Sequence, residues 1–307
     1  MPTLPGVSVI VPTYNRRELL ARAIDSILAQ TEPVDEIIVV DDGSTDGTAE
    51  MLASRYGERV RHAWQANAGV SAARNRGLSM ARGAFIALLD SDDLWHPRKN
   101  ALQLEWLAGH PDHAMVLCDV ERVDAAGRPL GLLRRRDVIL EDGWILRWLV
   151  HDPSLVPASM MMRREVYERI GGFDESLRTA EDLEYHLRIA RHFRIGVVEE
   201  ALVVAIREHD GLSSLPTTND DYVRVIEETL ARASDGIDDD DRRRALATCY
   251  LRNSRGMIIS GRWREAARLS WKAWRAVPSA SSLKELAGLA VFAVKRAVYR
   301  MISSTRT

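Results

Sequence analysis

Two short runs in this 307-residue chain are apolar at every position and end in clustered acids. Ile37-Ile38-Val39-Val40 leads into Asp41-Asp42-Gly43, and Phe85-Ile86-Ala87-Leu88-Leu89 leads into Asp90-Ser91-Asp92-Asp93. A strand with one wet face alternates apolar and polar residues. One that does not alternate is covered on both faces, the condition of a parallel sheet between layers of helices. A further run, Val7 to Val11, closes at Pro12-Thr13-Tyr14-Asn15, and Val60 to Trp64 reads as a short strand. Between the first two strands, Leu19, Leu20, Ala23, Ile24, Ile27 and Leu28 share one face of a helix that Asn15 and Glu18 would open as a capping pair. Helices are also expected over 48–55 and 71–81. Strands alternating with helices predict an α/β fold with right-handed crossovers, whose ligands bind beyond the carboxyl ends of the strands. Thr13 to Asn15, Asp41 with Asp42, and Asp90 to Asp93 should therefore converge on one edge.

Alternate residues of an extended segment point the same way, so Asp90 and Asp92 can present carboxylates to one side. Hard oxygen ligands of this kind suit Mn²⁺ or Mg²⁺ completed by phosphate oxygens and water, and suit neither zinc nor copper. The plainer reading is that acids after a buried strand cap the next helix or solvate a loop. The segment from Asp41 to Thr48 lacks the acid spacing of a calcium loop and the glycine pattern of a phosphate-cradling loop. Acids there would repel phosphate, which leaves base or ribose recognition, or a turn in which Asp46 caps a helix.

Five stretches together resemble family 2 glycosyltransferases of the GT-A fold: VSVIVPTYNR at 7–16, IIVVDDGSTDGT at 37–48, NAGVSAARNRGL at 67–78, FIALLDSDDLWHP at 85–97 and GGFDESLRTAEDLEYHLRIA at 171–190. The resemblance implies a mostly parallel Rossmann-like sheet flanked by helices, and an inverting, metal-dependent transfer from a nucleotide-sugar, a UDP-sugar first among them. By the same resemblance Pro12, Tyr14 and Asp42 would line the nucleoside pocket, with Asn15, Asp41 and Asn67 beside them and Arg74 and Asn75 flanking the nucleotide. Asp92 would be the main metal ligand of a DxD-type motif, with Asp90, Ser91 and Asp93 next to it. Glu181-Asp182 matches the family's ED motif, in which Asp182 would be the catalytic base. Arg207 and His209 would contact phosphate or metal at a loop that Gly211 allows to move. A glycan or lipid-linked acceptor in cell-surface polysaccharide assembly is implied only at family level; Trp144, Trp148 and His151 could stack on a sugar, though tryptophans four apart also make an ordinary packing face.

The expected domains are a catalytic region over 1–215, with a donor half to about 110 and an acceptor half beyond it, and a helical extension over 216–307. The formal charge of −2 divides unevenly, since residues 242–307 hold 15 Lys/Arg against Glu265 and Glu285, leaving about −15 on the remainder. Within this basic tail, WREAARLSWKAWR at 263–275 and the segment from Leu283 to Met301 interleave apolar and basic residues. Two readings stand for them: peripheral contact with a membrane surface, or packing on the protein itself. The acidic remainder opposes nucleic acid as a partner. Two distant cysteines, Cys118 and Cys249, no leader and no long apolar run suggest a cytoplasmic protein. Competing functions are a binding module that has lost turnover and a sugar nucleotidyltransferase. The second is disfavoured because Pro-Thr-Tyr-Asn-Arg stands where that class carries a glycine-rich basic loop.

Overall fold

The structure, a computed structural model, describes residues 6–133, 143–152, 155–207, 215, 217–232, 236–278 and scattered residues between 284 and 295. It divides into two compact units, residues 1–148 with 154–211, and residues 149–153 with 212–307.

The first unit is a mixed sheet flanked by helices. Its strands and helices begin β1 (Val7–Thr13), α1 (Arg17–Leu28), β2 (Glu36–Asp41), α2 (Thr48–Arg55), β3 (Arg61–Trp64), α3 (Val70–Met80) and β4 (Phe85–Leu88). After these come β5 (Leu94–Trp95), α4 (Lys99–Gly109), β6 (His113–Asp124), β7 (Pro129–Leu133), α5 (Leu146–Leu149), β8 (Met161–Arg163), α6 (Arg164–Ile170), α7 (Glu181–His192) and β9 (Arg194–Arg207). The sheet runs β3-β2-β1-β4-β8-β6-β9-β5, with β7 paired to β6. The β3-β2-β1-β4 part is parallel throughout, as the unbroken apolar runs require, and Val9, Ile10, Val11, Ile38, Val39 and Val40 are fully buried. β8 enters antiparallel to both β4 and β6, and β6 pairs in parallel with β9.

Local chemistry sets how closely the layers approach. A Cβ at Gly77 would fall 2.3 Å from Ile10 Cγ2, so glycine lets α3 lie directly on β1. That contact brings Arg74, one turn earlier, to the ends of the central strands. The start of α1 departs from the sequence expectation: Arg16 is its N-cap and makes no side-chain capping bond. Asn15 is instead left-handed, with φ of +50°, and its amide group reaches the neighbouring loop. Asp46, on that loop, accepts from the Arg17 amide at 2.9 Å and so performs the capping that Asn15 and Glu18 do not.

The second unit contributes α8 (Thr218–Ala231), α9 (Asp239–Ser260) and α10 (Trp263–Ala276). Asp238 caps α9 by accepting from the Asp241 amide at 2.8 Å, and Gly261, with φ of +84°, ends that helix in the left-handed conformation. Most of the second basic segment, 283–301, lies outside the described residues. No helix among the described residues is long and apolar enough to cross a membrane.

Candidate functional site

Parallel pairing fixes where the acids go. Thr13 stands opposite Asp41 across β1 and β2, and Ile10 opposite Leu88 across β1 and β4, so the segments following these strands emerge side by side.

The loop after β2 is held by its own carboxylates. Asp41 Oδ1 accepts from the Ser44 amide at 2.8 Å. Asp42 is buried and accepts three bonds: from Gln65 Nε2 at 2.8 Å and the Ala68 amide at 2.9 Å on Oδ1, and from the Gly69 amide at 2.9 Å on Oδ2. Of roughly four acceptor positions on a carboxylate, one is left for a ligand. Asp46 accepts from the Thr48 hydroxyl at 2.6 Å as well as from Arg17; burial would raise its pKa, but these bonds more than offset that and hold it lowered. Asn15 Oδ1 accepts from the Thr45 amide and the Asn15 amide donates to Ser44 Oγ, both at 2.8 Å, which ties the β1 and β2 loops together. Buried Thr13 Oγ1 and Asp41 Oδ2 have no hydrogen-bond partner among the described residues, and His62 Nε2 stands 3.7 Å from the latter. Pro12 is buried beneath these loops, while Tyr14 and Asn67 are exposed beside them.

The second group of acids is arranged differently. Arg74, 3% exposed, donates from Nη2 to Asp90 Oδ1 and from Nη1 to Glu181 Oε1, each at 2.8 Å. One guanidinium on α3 therefore joins the end of β4 to the start of α7, with Glu181 107 residues beyond Arg74 in sequence. It lies over the Phe173 ring, 5.1 Å from its centroid. Burial works against its charge, but Asp90, Glu181 and Asp182 hold its pKa above the ordinary arginine value. Asp182 is half-buried, and its carboxylate accepts from the Leu183 amide at 2.7 Å. Burial and the adjacent Glu181 charge push its pKa up to about 7, against the pull of Arg74. Ala180, just before this pair, is buried in the left-handed conformation with φ of +60°. Strain of that kind costs about 1 kcal/mol or more and persists where the surroundings impose it.

Asp92 is paired with Arg16. Burial and the nearby Asp90 charge raise its pKa, and Arg16 only partly reverses that. Asp93 belongs to the framework: it is buried and accepts from the Ile206 amide at 3.2 Å, anchoring the end of β9. Ser91 is buried next to it. Arg16 was visible in the sequence only as the last residue of a matched stretch, and no local signal marked it as the partner of Asp92.

Among the described residues no three His, Cys, Asp or Glu side chains converge as a metal cage. Asp90 and Asp92 fit a hard cation of the kind that takes one or two protein carboxylates and completes its shell with substrate phosphates and water. The fit rests on Asp92 itself, a carboxylate that burial and the Asp90 charge make costly to leave ionised and that already draws a cationic group, Arg16, to its side. His209 lies outside the described residues, and Arg207 ends β9 with its backbone opposite Asp124.

Asn75 is committed to the protein. Its Oδ1 accepts from the Phe173 amide at 2.7 Å, and its Nδ2 donates to Phe173 O at 2.9 Å and to Glu175 Oε1 at 2.8 Å. It thereby fixes the loop that carries Phe173 beneath Arg74. On the expected acceptor side, Trp144 is exposed with the Arg194 guanidinium 5.8 Å from its ring, and Trp148 is half-buried. In the second unit, His151 Nε2 lies 3.2 Å from Asp241 Oδ1.

Comparison with known proteins agrees with this arrangement. The family model described as glycosyl transferase family 2 matches residues 8–171. An uncharacterized glycosyltransferase of Rickettsia typhi is 31% identical over 224 residues, covering 70% of this chain and 68% of that protein. Chondroitin synthase of Escherichia coli is 26% identical over 242 residues, 75% of this chain and 33% of that protein. Across the first four curated relatives the match spans between 28% and 68% of their length. Among solved structures, S. aureus TarS 1–349 in complex with UDP-GlcNAc superposes with a TM-score of 0.65 at 21% identity, covering 96% of this chain and 92% of that one. The mannosyltransferase PcManGT from Pyrobaculum calidifontis, in complex with GDP-Man and Mn²⁺, gives 0.63 at 25% identity, covering 99% and 84%. Both likenesses identify the fold as GT-A.

Proposed function

The chain belongs to glycosyl transferase family 2, and from that premise we propose that it transfers a sugar from a nucleotide-sugar, a UDP-sugar first among the candidates, to a hydroxyl of a glycan or lipid-linked acceptor. The reading is carried by one observation: a half-buried carboxyl, Asp182, raised to about 7 beside Glu181, which a buried guanidinium joins to Asp90 at the end of β4. A general base works best when its pKa lies near the working pH, and burial with a like-charged neighbour is how a carboxyl reaches that range.

In the proposed reaction Asp182 takes the proton of the acceptor hydroxyl as its oxygen bonds to the anomeric carbon. The bond from that carbon to the diphosphate breaks on the opposite face, the electron pair leaves with the diphosphate, and the configuration inverts. Arg74 keeps Asp90 and Glu181 in place and limits how far the pKa of Asp182 rises. Asp42 and Asn15 hold the loops that would border the nucleoside, with Tyr14 and Asn67 on its exposed side. A Mn²⁺ or Mg²⁺ held by Asp92 and Asp90 would neutralise charge on the departing diphosphate. Supporting the choice of substrate class, PcManGT is described with a nucleotide-sugar and Mn²⁺, and chondroitin synthase is a polymer-building relative, consistent with a place in polysaccharide assembly. The test is Asp182→Asn: donor binding should persist while transfer falls by about two to four orders of magnitude. Unchanged turnover would remove Asp182 from the chemistry.

A further inference from the structure

Helix α10 carries a face that the proposed reaction does not use. It packs on α9 through Ala266, Leu269 and Ala273, all buried, and Ser254 Oγ of α9 donates to Ala266 O at 2.9 Å and meets Ser270 Oγ at 2.8 Å. At about 100° per residue, the opposite side presents Arg264, Ala267, Arg268, Trp271 and Arg275, with Trp263 and Trp274 along one margin. Trp271 is 58% exposed and Trp263 38%, and the Trp271 ring stacks on Trp274 with centroids 5.0 Å apart. Cations at the edge of the packed face are neutralised: Lys272 Nζ lies 2.9 Å from Glu227, and Arg262 Nη1 lies 2.6 Å from Asp220. Arg264, Arg268 and Arg275 are exposed and pair with no acid among the described residues. The sequence left this segment between membrane contact and packing; the structure gives packing to the alanine and leucine side and leaves the tryptophans and three arginines outward.

We propose that this face docks α10 on an anionic lipid bilayer, with the helix lying along the headgroup plane. Indole rings prefer the boundary between headgroup and hydrocarbon, and guanidiniums beside them reach lipid phosphates, so one flat surface satisfies both residue types. A second copy of the same face would set three arginines against three arginines.

The full chain should co-sediment with vesicles of phosphatidylcholine mixed with phosphatidylglycerol, should not do so with phosphatidylcholine alone, and should lose the association as salt is raised. Each arginine near such a surface contributes about fivefold to binding, so the combined variant Arg264→Gln, Arg268→Gln, Arg275→Gln should bind about 100-fold more weakly. Trp271→Ala should weaken binding on its own. All four positions are exposed, so the variants should keep the wild-type circular dichroism and melting temperature. Absence of binding to anionic vesicles overturns the proposal, as does a triple variant that binds as well as wild type. A concentration-dependent dimer abolished by Trp271→Ala, without lipid binding, would assign the face to a second copy and overturn it too. Because these residues lie outside the proposed reaction, vesicle binding can fail without affecting transfer, and transfer can fail without affecting vesicle binding.

Discussion

The loop after β2 and the loop after β4 both collect aspartates at the end of a buried parallel strand, yet the two groups are satisfied in different ways. Asp41, Asp42 and Asp46 accept mainly from backbone amides and neighbouring side chains, and their charge is absorbed in holding the loop. Among the described residues, the cations that pair with Asp90, Asp92 and Glu181 are two guanidiniums, Arg16 and Arg74, and Asp182 accepts from the Leu183 amide. Two negative charges remain when all four are ionised; burial first, and the like-charged neighbour second, raises the pKa of both Asp92 and Asp182. Acids of the first kind build a frame, and acids of the second kind hold charge that a cation or a proton can relieve.

Variants can sharpen or break that contrast. The largest effect should come from Asp182→Asn, which leaves the frame untouched and removes the base. Next, Arg74→Met should cost about 3–5 kcal/mol of stability, measured by denaturant unfolding, because it strands Glu181 in a buried site without its counter-charge. A loss below about 1 kcal/mol would mean that water or another group already neutralises Glu181. In the frame, Asp42→Asn replaces one acceptor oxygen with a donor, so that at least the Gly69 amide meets another donor, and should cost about 1–3 kcal/mol, whether or not nucleotide is present. A further effect concerns pH. With a folded pKa near 7 against an ordinary 3.8, Asp182 keeps its proton in the folded state through a window where the unfolded chain has lost it. Stability should therefore fall as pH rises from about 4 to 7, and Asp182→Asn should remove that slope. Transfer should move the opposite way, losing about tenfold per unit below pH 7 as the base protonates.

The parallel half of the sheet was legible because burial on both faces leaves a direct mark on composition. Unbroken runs at 37–40 and 85–89 appear as β2 and β4, and the helix expected over 48–55 is α2. What failed were features decided by distant partners. The β1–α1 turn was expected to cap itself through Asn15 and Glu18, but Asp46 from the next loop does so, and Asn15 turns away to hold Thr45. β9 gains its fourteen residues from parallel pairing along β6, and β5 is two residues that exist because β9 lies beside them. The acids of the site could be named from their stretches. Arg16 on Asp92, and Arg74 shared between Asp90 and Glu181, become visible only when the strand ends are brought together.

The most direct measurement is calorimetric titration of the full chain with UDP, GDP and dTDP, each with Mn²⁺ and with EDTA, repeated on Asp92→Ala. A donor site at these strand ends predicts that one nucleotide binds well, that binding weakens when metal is removed, and that Asp92→Ala produces the same loss. Failure of every nucleotide to bind, or binding indifferent to both metal and Asp92, would contradict it.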